Sequence, residues 1–190
     1  MFKKLLISLS VITGIAFPFV IYFAIKQQLL NYVLPFIIIV FLLRLCLIKG
    51  SKSILKFFSI LIIVLAIVLC SAHYVLKDSG AFLYYPVAVN AILFTAFFSS
   101  LFYGDSVVTG FAKLTHKNLD DNEINYTRNV TKVWCVFFVL NGAAALYTTL
   151  KGDLDMWTLY NGFLSYIIMG SLMGIEFIIR RCFQKRHDSK

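Results

Sequence analysis

The chain has 190 residues, 60% of them apolar and 14% charged, with a net charge of +9. A soluble domain carries about 25% charged residues, so there is too little polar surface here to cover a water-soluble globule. Apolar runs of about 20 residues recur, and they are continuous rather than alternating, which excludes a β-barrel and predicts an all-α, polytopic membrane helical bundle.

Six transmembrane helices are predicted in a single integral-membrane domain, 1–190. The first covers 5–25, follows Lys3 and Lys4, and lacks the small-residue cleavage pattern that would make it a removable leader. The second and third cover 29–48 and 57–76, separated by a short basic turn. The fourth covers 82–103 and holds Pro86 and Asn90, four residues apart and therefore on one face. A connection of 104–129 follows. Val107, Val108, Phe111 and Leu114 recur in it at helical spacing beside Lys113 and Lys117, the pattern of a short amphipathic helix on a membrane surface. Asn118 to Glu123 is a polar turn able to cap the next helix. The fifth and sixth spans cover 130–150 and 157–179, and a basic tail occupies 180–190.

The distribution of bases sets the orientation. With six spans, 15 of the Lys and Arg residues fall on the side shared by both termini, and only Lys26, Lys77 and Lys151 fall on the other. Bases concentrate on the cytoplasmic side of inner-membrane proteins, so both termini are expected there. The same dispersal over membrane flanks argues against nucleic acid as a partner and for membrane lipids.

Strongly polar groups within apolar spans are costly and mark the places to look for function. Asn90, Asn141 and Asn161 fall in the outer half of spans four to six, where they form a candidate polar cluster if those spans pack together. Interhelical hydrogen bonding, worth about 1 kcal/mol each, is the simpler use of such residues. Arg128, Lys132, Glu176 and Arg180 form a candidate charged group on the cytoplasmic side, with Glu176 and Arg180 at the spacing of a helical ion pair. Trp134, Trp157 and Tyr160 read as interfacial anchors, and Gly170 with Gly174 as a site of close helix approach. The four cysteines lack metal or redox spacing, and His116 with Asp120 and Asp121 matches no compact ligand pattern, so no metal and no cofactor are expected.

Four segments carry a resemblance: YPVAVN (Tyr85 to Asn90), YTRNVTKVWCVFFVLNG (Tyr126 to Gly142), WTLYNG (Trp157 to Gly162) and MGSLMGIEFIIRR (Met169 to Arg181). In that order they resemble a family of small uncharacterised bacterial inner-membrane proteins. Its members are encoded beside the acyl-carrier proteins, ketosynthases, dehydratases and acyltransferases of aryl-polyene and similar fatty-acid-like pathways, and some have been labelled as a gyrase component or a ketosynthase. The resemblance implies a bacterial inner membrane and an acyl-chain pathway. It supplies no catalytic residues.

The first expectation is therefore a non-catalytic component that anchors or organises soluble acyl-chain enzymes, an acidic acyl-carrier protein among them, on a basic cytoplasmic surface. A small lipid or polyene transporter, using the three asparagines as its polar pocket, is the alternative. A membrane-embedded lipid-modifying enzyme using Glu176 or Lys132 is the second alternative, weakened by the lack of any assembled catalytic set.

Overall fold

In a computed structural model, residues 19–29, 79–114 and 119–188 are described, and those residues contain helices and no strand. Spans 29–48 and 57–76, most of 5–25, and His116 lie outside them. Among the described residues, three helices are long and apolar enough to cross a membrane: Phe82–Ser100, Asp121–Lys151 and Leu154–Arg181.

Helix α1, Tyr85–Ser100, follows a 3-10 turn at Ser79–Tyr84 and begins at Pro86, whose missing N–H is no loss in a first turn. Gly104, in the left-handed region at φ 77°, turns the chain into the short helix α2, Val107–Ala112, which Ser106 caps. Val107, Thr109 and Ala112 are buried, while Phe111 and Leu114 stay partly exposed. The amphipathic segment thus packs inward through a mixed face and leaves its bulkier apolar groups outward.

Helix α3 is Asp121–Lys151, nine residues longer at its start than the apolar stretch predicted. The reason is a capping box. Asp120 accepts from the Glu123 N–H at 2.7 Å, and Glu123 accepts from the Asp120 N–H at 3.1 Å. Hydropathy marks only the part of a helix that meets lipid, whereas the cap marks where the backbone turns helical. At 1.5 Å per residue α3 is about 46 Å long, well over the roughly 30 Å of a hydrocarbon core. Gly152, at φ 71°, closes it in the left-handed conformation. Asp120→Ala is expected to cost about 1 kcal/mol and to speed hydrogen exchange in the first turn of α3 while leaving amides near Asn141 unchanged.

Helix α4, Leu154–Leu159, is capped by Asp153 and runs through a π turn, Tyr160–Leu164, into α5, Ser165–Asp188. Residues 19–26 are helical and meet this end of the bundle. There Tyr22 donates to Asp155 at 2.7 Å, Lys26 donates to Tyr22, and Lys26 pairs with Asp155 at 3.4 Å. The hydrogen bond to Tyr22, with the Asp155 charge behind it, raises the Lys26 ammonium above its ordinary pKa.

The core is aromatic. Phe97 of α1 meets Phe138 of α3 edge-on, with ring centres 5.0 Å apart, and Trp134 meets Phe137 at 5.5 Å. Cys135 is buried beside them as a small apolar group.

Candidate functional site

The length of α3 divides into two different environments. Towards Lys151 it carries buried hydrogen bonds; towards Asp121 it borders an apolar cavity.

In the first, Asn90 donates to the Pro86 carbonyl at 2.8 Å, the acceptor four residues earlier on its own helix. Its Oδ1 accepts from Asn141 Nδ2 at 3.1 Å, and Asn141 Oδ1 accepts from the Tyr160 hydroxyl at 3.0 Å. Three elements, α1, α3 and the π turn, are joined by this ladder. Gly142 makes it possible, because a Cβ there would lie 3.1 Å from the Asn90 Cβ. Asn90 and Asn141 therefore meet, but the third member is Tyr160 and not Asn161. Asn161 is buried one residue further round, donating to Thr148 Oγ1 at 3.1 Å and to the Trp157 carbonyl at 2.9 Å. Because that carbonyl can only accept, the orientation of the Asn161 amide is fixed. Its Oδ1 is buried and accepts no hydrogen bond.

The ladder predicts a measurable coupling. Asn141→Leu leaves both Asn90 Oδ1 and the Tyr160 hydroxyl without their partner, and is expected to cost about 1–3 kcal/mol. In a double-mutant cycle with Tyr160→Phe, unfolding in mixed micelles should show a coupling of about 1 kcal/mol. Strictly additive losses would contradict the ladder.

A second buried network fixes α2. The hydroxyls of Ser106 and Thr109 are 2.7 Å apart, Thr109 and Thr127 2.8 Å, and Thr131 donates to Ser106 at 2.9 Å. All four residues are buried. Nothing in the apolar pattern of the sequence marks them. The available signal is the spacing, with Ser106 and Thr109 three apart and Thr127 and Thr131 four apart, each pair on one helical face.

The four charged candidates do not form one group. Arg128 donates to the Leu101 carbonyl at 2.9 Å, holding the end of α1. Lys132 is exposed and donates to Asn129 at 3.1 Å. Among the described residues the ion pairs are Lys26–Asp155 and Lys113–Asp105, so the expected Glu176–Arg180 pair is not made. Tyr126 of α3 instead approaches Glu176, its hydroxyl 3.5 Å from the carboxylate and 3.4 Å from the backbone carbonyl.

Glu176 and Arg180 border a cavity of about 740 Å³ between α1, α2, α3 and α5. Its walls include Leu93, Phe97, Phe111, Trp134, Phe138, Met169, Met173 and Phe177, and it is open on the α5 side, where Met173 and Phe177 are more than half exposed. Across the partition made by Val130, Trp134 and Glu176 lies a smaller space of about 250 Å³, lined by Val133, Leu172, Ile175 and Ile179. The volume of the larger falls in the roughly 300–1,000 Å³ range of small-molecule sites, and its composition, apolar with charge at one margin, matches such sites too.

Several side chains stand elsewhere than the sequence implies. Trp157, read as an interfacial anchor, is fully buried and donates through Nε1 to the Leu83 carbonyl at 2.9 Å. Trp134 is a half-buried cavity wall, and Tyr160 completes the asparagine ladder. Nothing lies within 4 Å of where a Cβ would stand on Gly170 or Gly174, so this pair is not a point of close helix packing among the described residues. Comparison with protein-family models, with curated proteins and with solved structures gave no match to this chain.

Proposed function

We propose that the chain is an accessory protein of a bacterial inner membrane that holds an acyl chain in the cavity bordered by α1, α2, α3 and α5, serving an acyl-chain pathway without itself catalysing a step. The observation that carries this reading is the cavity: among the described residues its walls are apolar and charged only at Glu176 and Arg180. A protein that merely tethers soluble enzymes needs no such space. A transporter pocket built on the three asparagines is less well supported, because Asn90 and Asn141 spend their polar groups on each other, on Pro86 and on Tyr160.

The proposed threading has six spans with both termini in the cytoplasm. It is supported by the contact of Lys26 with Asp155, since that threading puts the first and fifth connections on the same, outer face. The cavity then opens towards the inner leaflet, where acyl-chain enzymes and acidic carrier proteins would work.

Native mass spectrometry of the full chain, extracted from its own membranes into nanodiscs, tests the reading. One amphiphile with an acyl chain should be retained per folded protein. Folded protein that retains none would overturn it.

A further inference from the structure

We propose that the chain held in the cavity carries an anionic head group, a carboxylate or a phosphate, and that Arg180 binds it. This rests on the cavity being an acyl-chain site, and it adds which chemical class of amphiphile the site accepts.

Among the bases whose side chains are described, Arg180 stands apart. Lys26 is taken by Tyr22 and Asp155, Lys113 by Asp105, Arg128 by the Leu101 carbonyl and Lys132 by Asn129. Lys151 and Arg181 lie over the rings of Tyr147 and Phe177. Arg180 makes no hydrogen bond, ion pair or ring stacking among the described residues, although its charge acts on the Tyr126 hydroxyl, it is half-buried and it borders the cavity. A guanidinium presents five donors in a planar fork and no acceptor, which matches a carboxylate or phosphate two bonds at a time. Its natural acceptor on α5, Glu176, is one turn away and faces Tyr126 instead.

Position agrees with the chemistry. From Met169 to Arg180 the α5 wall of the cavity is about 16 Å long, apolar at Met169 and Met173 and charged at its Arg180 end. That polarity is the polarity of a single-chain amphiphile. Glu176 stands near the same end, so its charge opposes the anion and lowers the affinity that Arg180 provides.

The experiment uses full-length protein in phosphatidylcholine nanodiscs at alkaline pH, with Trp134 as the reporter. Four probes share one brominated alkyl chain and differ in head: carboxylate, phosphate, alcohol and trimethylammonium. Bromine quenches indole on contact, and Trp134→Phe gives the background from Trp157. The carboxylate or the phosphate, or both, should quench saturably and bind about tenfold more tightly than the alcohol, the size expected for a charge-assisted contact; which of the two binds identifies the source of the head group. Arg180→Gln should erase that advantage while leaving the alcohol affinity unchanged, which also shows that the cavity is intact, and Arg180→Lys should keep part of it. Glu176→Gln should strengthen anion binding about threefold without altering the alcohol, because a nearby like charge is removed. Equal affinities for all four heads would overturn the proposal and leave the acyl-chain reading standing. Quenching that never saturates for any probe would take both down.

Discussion

Replacing Trp157 by alanine is expected to destabilise the bundle by about 3 kcal/mol, the lower end for deleting a large buried aromatic side chain. The indole is fully buried. Its Nε1 donates to Leu83, which ties α4 to the turn before α1. Thr149 of α3 donates to the same Leu83 carbonyl at 2.9 Å. The lower end of the range applies for two reasons. Thr149 keeps Leu83 satisfied when the indole is gone, and within a bilayer the loss is mainly of packing rather than of burial from water. Trp157→Phe keeps a six-membered ring but loses the pyrrole part of the indole with its N–H, so a smaller loss of about 1–2 kcal/mol is expected. Reversible unfolding in mixed micelles measures both. Equal, small effects would mean that Trp157 faces lipid, as its place near a span end first implied.

Gly174→Leu should produce the opposite signs in two measurements. Gly174 borders the cavity, and nothing lies within 4 Å of where its Cβ would stand. A Cβ therefore fits there, and a leucine side chain is expected to take up part of the cavity that Gly174 lines. It also removes a glycine from a helix interior, worth about 1 kcal/mol in helix propensity. The variant is expected to be slightly more stable than the wild type and to retain about tenfold less acyl chain, since overfilling a packed space of this kind costs on the order of 1–3 kcal/mol when a ligand must share it. Loss of both stability and retention would show instead that Gly174 is a packing residue.

What the sequence revealed and what it hid divide along physical lines. Apolar length is a one-dimensional property, so the helices now seen at Phe82–Ser100, Asp121–Lys151 and Leu154–Arg181 were readable from their apolar parts. The Pro86–Asn90 contact was readable because it is local, four residues along one helix. Counting turns brings Asn90 and Asn141 to a similar height, and the two side chains do meet. Tyr160 could not be preferred over its neighbour Asn161, because a π turn adds a residue to the helical repeat and rotates everything after it, and YNGFL has no composition that announces this. The four hydroxyls around Ser106 were hidden for another reason: Ser and Thr in helices commonly bond their own backbone, as Thr127 and Thr131 also do, so their cross-helix role appears only after packing. The cavity is a feature of four helices at once and has no signature on any one of them. The same holds for Arg180, whose i, i+4 spacing from Glu176 suits an ion pair that is not made, both charges acting instead on Tyr126 of α3.

The most direct measurement of the central claim is where an acyl chain touches the protein. Full-length protein in nanodiscs, irradiated with a diazirine-bearing fatty acid and mapped by peptide mass spectrometry, should be labelled on the segments holding Trp134, Met169, Met173 and Phe177, and excess palmitate should suppress that labelling. Labelling confined to exposed residues away from the cavity, Phe102, Tyr103 and Leu150, and unaffected by palmitate, would contradict it.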